Sequence, residues 1–197
     1  MKNLRFMFFV DCEEYSPDSE KKYWFDFMEE DTTANIPVEL MVENLPEEYG
    51  TISLSGIYYH ADGESEKINT IKECIINRFR TNSHKDFAFR CDDEIIVDGY
   101  ITKDTTKKII DSLKDDEIIY ADLSGCPRTY LMTMFTLLSF AYKNLKNTDV
   151  RGVYDIEEET SDPIIMRNMT EDFYVNLLAN NKKYKNPKKA MKAIIDL

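Results

Sequence analysis

The hydrophobic pattern of the chain alternates between two periods. Short, continuous apolar runs are typical of strands buried in a parallel sheet. They predict strands at residues 4–10, 51–59, 87–101, 117–123 and 150–156, the third as one or two short pieces. Apolar residues at helical spacing predict helices at residues 21–30, 64–79, 105–114, 129–145 and 166–178. This alternation predicts an α/β fold with a Rossmann-like, mainly parallel sheet and helices on both faces.

Two of the predicted helices carry further expectations. Residues 21–30 hold four aromatic side chains and a methionine, which we expect to pack on the sheet rather than to stack on a base. Asp104 precedes residues 105–114, and its carboxylate is expected to cap the first turn of that helix.

Residues 117–145 form the best candidate for a ligand site. An isoleucine-rich strand leads into the turn Ser-Gly-Cys-Pro-Arg-Thr, and a long apolar helix without internal Gly or Pro follows. Such a junction presents backbone N–H groups and the positive end of a helix to an anion. Ser124 adds a hydroxyl, Pro127 suits the first helical turn, and Arg128 can bind a phosphate with two N–H groups. The pattern predicts a phosphate-binding turn.

This turn does not match the common phosphate-binding motifs. It lacks the Gly-Lys-Ser/Thr ending of a Walker loop, and Gly125 is its only glycine, unlike a dinucleotide fingerprint. Cys126 and Arg128 are too close in sequence for a phosphatase loop with a nucleophilic cysteine. An ordinary strand–turn–helix junction that binds nothing is the alternative at this level.

The sequence Asp122-Leu-Ser124-Gly125-Cys126-Pro-Arg128 resembles the signature turn of CARF domains, the CRISPR-associated Rossmann-fold domains. In that family the turn reads Asp-x-Thr-Gly-Gly-Thr-Lys or Asp-x-Thr-His-Gly-x-Arg. Ser124 stands at the Thr position and Arg128 at the Lys or Arg position, whereas Cys126 replaces a Gly and proline follows it. The resemblance implies a homodimer that binds cyclic oligoadenylate, the second messenger of type III CRISPR immunity.

The end of the first predicted strand extends this candidate site. In an open α/β sheet the ligand crevice lies at the carboxyl ends of the strands, so Asp11 and Glu13 are candidates for contacts to an adenine amino group or a ribose. A solvated acidic turn is the alternative reading of these two residues. The expected ligand-binding residues are Asp11, Cys12, Glu13, Asp122, Ser124, Gly125, Cys126, Pro127, Arg128 and Thr129.

Two functions are compatible with the resemblance. The first is a receptor, in which the binding of cyclic oligoadenylate changes the dimer and the ligand itself is not chemically altered. A ring nuclease lets a ribose 2′-OH attack the adjacent phosphate without a metal, with Ser124 and Arg128 as its catalytic residues. The turn holds no histidine or other base for neutral pH, which favours the receptor.

A third function is unrelated to CRISPR. Cys126 can act as the nucleophile of an α/β enzyme if it lies at a helix N-terminus, where its pKa would be lowered. No partner base for Cys126 is identifiable in the sequence. A small, packed cysteine is the alternative.

Composition limits the partners. The formal net charge of −12 argues against a surface for long nucleic acid. The four cysteines lack CxxC spacing, so we expect reduced thiols, no metal site and no cofactor. No apolar stretch reaches the length of a membrane span without charge, which predicts a cytoplasmic protein without membrane contact. His60 and His84, the two histidines, are expected to be surface residues.

The 197 residues suit one α/β domain with a full core. We expect a CARF-like Rossmann domain at residues 1–160 and a helical, lysine-rich extension at residues 161–197. Six lysines lie within residues 182–192, which predicts a solvated end of the chain, with a docking arm for a partner as the alternative.

Overall fold

A computed structural model of the chain describes residues 3–45, 51–61, 65–82, 87–97, 101–158 and 160–179. Its strands are β1 (Asn3–Asp11), β2 (Lys21–Trp24), β3 (Thr32–Ala34), β4 (Thr51–Tyr59), β5 (Ala88–Val97), β6 (Glu117–Asp122), β7 (Asp149–Glu158) and β8 (Ile164–Asn168). Its helices are α1 (Pro37–Asn44), α2 (Ser65–Asn82), α3 (Lys103–Ser112), α4 (Leu131–Asn144) and α5 (Thr170–Ala179), and a 3₁₀ turn at Arg128–Tyr130 precedes α4. The lysine-rich residues 182–192 lie outside the described residues.

The eight strands form one sheet in the order β3-β2-β8-β7-β6-β1-β4-β5. The strands from β7 to β5 pair in parallel, β8 pairs antiparallel with β7, and β2 joins β8. Numbered along the chain, the five parallel strands follow the order 3-2-1-4-5 of a doubly wound Rossmann-like sheet. The direction of winding reverses between β1 and β6, which is where such sheets bind ligands. The predicted fold class is confirmed.

Helices cover both faces of this sheet, and β1 shows why. Phe6, Phe8 and Val10 face the core formed with α1 and α2, whereas Met7 and Phe9 face the core formed with α3, α4 and α5. A central strand with apolar residues on both faces is buried on both, so β1 reads as a continuous hydrophobic run. None of the described helices is long and apolar enough to cross a membrane.

The helix predicted at residues 21–30 is wrong. Lys21–Trp24 is strand β2, and the Met28 N–H donates to the Phe25 carbonyl in the turn that follows. β2 pairs with β8 and β3, where large aromatic side chains fit a pleated surface better than local helix propensity would suggest. Tyr23 and Phe25 are buried, so the expected packing of these aromatic residues in the core is confirmed.

The helix predicted at residues 166–178 is wrong at its start. Met166 and its neighbours belong to β8, which pairs with β7, and α5 begins at Thr170. The Asn168 side-chain oxygen accepts a hydrogen bond of 3.0 Å from the Thr170 N–H at this junction. The pairing of β8 with β7 extends the strand over residues that a helical pattern also fits.

The predicted cap of the third helix is also wrong. Asp104 lies inside the first turn of α3, and Thr102 is the residue at the N-cap. The Thr102 hydroxyl oxygen accepts a hydrogen bond of 3.1 Å from the Thr105 N–H. Both residue types favour helix starts, so only the backbone course decides which one is the cap.

Candidate functional site

A cleft of about 390 Å³ lies at the carboxyl ends of β1, β6 and β7. Its volume falls within the usual range of small-molecule sites. Val10 and Asp11 of β1, the turn at residues 124–128, and Asp155 and Ile156 of β7 line one side. The cleft therefore lies at the switch point of the sheet, and the resemblance-bearing turn forms part of its wall.

The opposite wall comes from the chain between β1 and α1. β1 is central, but β2 lies on the far side of β7 and β8, so residues 12–20 run from the end of β1 toward that edge. The chain then returns through β3 to α1, which packs against α2. Tyr15, Lys21, Asn35 and Pro37 of this segment line the cleft. Sequence reasoning missed this wall because it placed a helix at residues 21–30.

The turn itself is held by backbone hydrogen bonds. The Leu123 N–H donates to the Tyr154 carbonyl at 2.7 Å, and the Cys126 N–H donates to the Leu123 carbonyl at 2.9 Å. A 3₁₀ turn follows, closed by a bond of 2.8 Å from the Tyr130 N–H to the Pro127 carbonyl. The predicted helix is thus present, but its α-helical part begins at Leu131, two residues after the predicted start at residue 129.

Gly125 is required at its position by the close approach of β1. A Cβ atom placed on Gly125 would lie 2.5 Å from the Phe9 carbonyl oxygen, a backbone atom that cannot move aside easily. The glycine therefore lets the turn sit directly on the end of β1. This packing brings the turn and the end of β1 into one cleft.

Asp122 holds the turn from beneath. Its side chain is buried and accepts a hydrogen bond of 3.0 Å from the Ser124 N–H. Burial raises the pKa of this carboxyl to about 6, against the opposing effect of hydrogen bonds from the Ser124 side chain, the Ser124 backbone and the Val38 backbone. Val38 is the second residue of α1, whose N-cap Ile36 supplies no side-chain cap. Asp122 thus joins the turn to the N-terminus of α1.

The charges that line the cleft are mixed. Arg128 and Lys21 are its cations, and Asp11, Glu14, Asp155 and Glu157 are its carboxylates. Burial raises the pKa of Asp155, and the nearby Arg128 and Arg167 guanidinium groups oppose that rise. The lining as a whole therefore carries more negative than positive groups, so an anion would depend on local contacts in the turn.

Cys126 is not an activated thiol. It is buried, and burial together with the Asp155 carboxylate raises its pKa to about 12. Its Sγ–H donates weakly to the Pro127 carbonyl at 3.6 Å. The lowered pKa predicted for a nucleophile at this position is wrong, because Cys126 is buried before the 3₁₀ turn instead of lying at the start of α4.

The structure places some of the predicted site residues in the lining of the cleft and others outside it. The side chains of Asp11, Ser124 and Arg128 line the cleft, as do Gly125, Cys126 and Pro127. Cys12 is fully buried in the core beneath it, and Glu13 and Thr129 are exposed but lie outside its lining.

His60 is exposed, as the sequence predicts, and it lies beside this site, whereas His84 lies outside the described residues. The His60 Nδ1 atom is 3.1 Å from both carboxylate oxygens of Asp11. Asp11 pairs with Tyr59 across β1 and β4, so His60 follows directly at the same edge. The sequence held a signal for this contact, because Asp11 and His60 each follow a predicted strand, and the carboxyl ends of parallel strands lie on the same side of the sheet. Only the strand order shows that the two ends are neighbours.

Among the described residues, no group of three or more His, Cys, Asp or Glu side chains is placed to hold a metal ion. No disulfide bond joins the four cysteines, of which Cys12 and Cys126 are buried and Cys74 and Cys91 are half-buried.

Comparison with known proteins does not assign the chain to a family. No protein-family model matches the chain, and no curated protein is significantly similar to it.

Proposed function

We propose that this protein binds cyclic oligoadenylate as a homodimer, in the manner of a CARF sensor domain. The observation that carries the proposal is the position of the Asp-x-Ser-Gly-Cys-Pro-Arg turn at residues 122–128. It forms one wall of a cleft at the switch point of a Rossmann-like sheet. Ligands of doubly wound sheets bind at that point.

The cleft offers partners for each part of a nucleotide. Arg128 suits phosphate oxygens, because charge-assisted hydrogen bonds recognise them. Asp11 and Asp155 are acceptors for adenine amino groups and ribose hydroxyls. The mixed charge of the lining therefore fits a ligand that combines phosphates with hydrogen-bond donors better than it fits a bare polyanion.

Two features support a dimer. A cleft of about 390 Å³ is at the small end of ligand sites, so a ring of several nucleotides needs a second copy of the cleft to enclose it. Helix α4, which follows the turn, exposes Met132 and Phe140 on its outer side. Large apolar side chains left exposed on one helix face are typical of an interface.

The test is a binding screen by calorimetry with cyclic tri-, tetra- and hexaadenylate, with NAD and linear oligoadenylate as comparison ligands. We expect one of the rings to bind tightly and the comparison ligands to bind weakly. Arg128→Ala should weaken ring binding by about ten- to a hundredfold, the effect of losing a charge-assisted contact.

The control is Arg151→Ala, an exposed arginine on β7 that pairs with Asp149 at the start of the strand, away from the cleft. We expect this variant to bind the ring as the wild type does. Tight NAD binding without a response to any ring contradicts the proposal.

A further inference from the structure

We propose that each cleft binds one nucleoside of the ring together with both phosphates that flank it, with Arg128 on one phosphate and Lys21 on the other. The inference rests on the proposed binding of cyclic oligoadenylate and names how one cleft divides that ligand. It assigns the second phosphate contact to the segment between β1 and α1, which lies outside the turn that carries the resemblance.

The topology places Lys21 at the same edge of the sheet as the turn. β8 runs antiparallel to β7, and β2 runs parallel to β8, so β2 begins at the edge where β6 and β7 end. Lys21 is the first residue of β2 and lines the cleft. A cation from outside the parallel part of the sheet therefore faces the same space as Arg128.

The register of the strands separates the two cations. Trp24 of β2 is level with Ile165 of β8, which is level with Glu158, the last residue of β7. Lys21 precedes Trp24 by about 10 Å of strand and so lies beyond the end of β7. The turn follows β6, and three strand spacings across the sheet separate β6 from β2 by about 14 Å. The two cations therefore rise from opposite ends of the cleft, which suits two phosphates better than one.

A carboxylate lies between the two cations. β7 separates β6 from β8 and β2 in the sheet, and Asp155 of β7 lines the cleft. The Ile156 N–H donates to Asp155 Oδ1 at 2.9 Å and holds this side chain in place. A carboxylate repels a phosphate and accepts hydrogen bonds from ribose hydroxyls and amino groups. The order cation, acceptor, cation across the cleft matches the order phosphate, nucleoside, phosphate along the ligand.

The side chain of Lys21 is open to a ligand. It is exposed, and among the described residues no ion pair engages it. Tyr23 shares its face of β2 and is buried, so Lys22 points to the opposite face, where it pairs with Asp31 at 3.6 Å. The wall that carries Lys21 also carries Glu14, so a phosphate at this end of the cleft depends on Lys21 for a favourable contact.

The first test uses fragments that correspond to one nucleotide unit. Adenosine 3′,5′-bisphosphate, adenosine 3′-monophosphate and adenosine 5′-monophosphate are titrated against the full chain and followed by NMR. We expect the bisphosphate to bind about tenfold more tightly than either monophosphate, because only the bisphosphate reaches both cations. Lys21→Ala should remove this advantage over one monophosphate, and Arg128→Ala should remove it over the other. Equal affinities for the three probes overturn the inference.

The second test uses whichever of cyclic tri-, tetra- and hexaadenylate binds. Lys21→Ala should weaken ring binding by about ten- to a hundredfold, since a homodimer loses two such contacts per ring. The slope of log affinity against log salt concentration should become shallower by about 1–2, because two phosphate contacts are lost. Lys21→Arg keeps the charge and should bind within about threefold of the wild type. A merely structural role for Lys21 would not change the salt dependence.

Lys22→Ala is the matched control. It removes the same charge from the neighbouring residue of β2, which does not line the cleft, so affinity and salt dependence should stay close to those of the wild type. The double variant Lys21→Ala with Arg128→Ala should weaken ring binding by the product of the two single effects, since the two contacts are independent. A double variant that binds no more weakly than Arg128→Ala alone overturns the inference.

The outcomes separate the two proposals. A ring that binds equally well to the wild type, Lys21→Ala and Lys22→Ala overturns the inference and leaves the proposed function standing. Bisphosphate binding that depends on both cations, with no ring bound, contradicts the proposed function and supports the cleft with two phosphate contacts. Binding of neither the rings nor the bisphosphate overturns both proposals.

Discussion

At the scale of single residues, burial gives Asp122 a different role from that of its neighbours in the turn. Its carboxylate lies beneath the turn and binds Ser124 and the N-terminus of α1, whereas Ser124 and Arg128 line the cleft. A buried carboxylate that joins two segments also makes the fold sensitive to pH.

Asp122→Asn should reduce the pH dependence of stability. Burial raises the folded-state pKa of Asp122 from 3.8 to about 6, so between these values the native state binds more protons than the unfolded state. The free energy of unfolding therefore falls as pH rises through this window, by about 2–3 kcal/mol from this group. Urea denaturation at steps from pH 4 to pH 7 should show a smaller fall in the variant.

The control is Asp18→Asn on the exposed connection after β1. It should keep the slope of the wild type. Equal slopes for wild type and Asp122→Asn would show that the carboxyl at residue 122 titrates alike in the folded and unfolded states.

At the scale of elements, a buried ion pair joins the two central strands on either side of the switch point. Arg5 of β1 donates from Nε and Nη2 to the two Glu117 carboxylate oxygens of β6, each at 2.7 Å. Arg5 also donates to Ser55 of β4, and Glu117 accepts a bond of 3.1 Å from the Lys114 N–H. Both charged side chains are almost fully buried, so each depends on the other for its charge.

Glu117→Gln should destabilise the fold by about 3–5 kcal/mol, because it leaves the Arg5 guanidinium buried without a counter-ion. Urea denaturation at neutral pH measures the change. The double variant Arg5→Met with Glu117→Leu should recover much of the loss, since neither charge then remains in the core.

An exposed ion pair is the matched control. Asp172→Asn breaks the pair between Arg167 and Asp172, which is half exposed at both ends, and should cost less than about 1 kcal/mol. A Glu117→Gln effect as small as that of the control contradicts the account of a mutually dependent pair.

At the scale of the whole molecule, the outer face of α4 is the surface through which two copies would meet in the proposed homodimer. α4 follows the turn directly after the 3₁₀ segment, so an interface through α4 would place both turns near one two-fold axis. Phe140 and Met132 remain exposed on this helix, 36% and 61% respectively.

Phe140→Lys combined with Met132→Lys should convert the proposed homodimer into a monomer, because two charges would be buried at the interface. Light scattering at micromolar concentration measures the mass with and without ligand. Ile96→Lys is the matched control, since Ile96 is exposed on the edge strand β5 at the other side of the sheet, and this variant should stay dimeric. A wild type that is monomeric under both conditions contradicts the proposed dimer.

The sequence by itself determined which core segments are strands and which are helices. The apolar runs at residues 4–10, 51–59 and 117–123 are confirmed as β1, β4 and β6, and the helix after the turn is confirmed as α4 apart from its 3₁₀ start. These elements are buried on several sides, so most of their residues are apolar, and the pattern within each segment is enough to identify it. Their alternation was enough to predict the mainly parallel sheet.

The tertiary structure decided what depends on neighbours distant in the chain. β2 and β8 exist because each pairs with neighbouring strands of the sheet, and their short, ambiguous patterns do not record that pairing. The pKa of Cys126 rises because burial outweighs its position before a helix. His60 meets Asp11 because β4 lies beside β1, an adjacency that strand order sets and that no local pattern of residues contains.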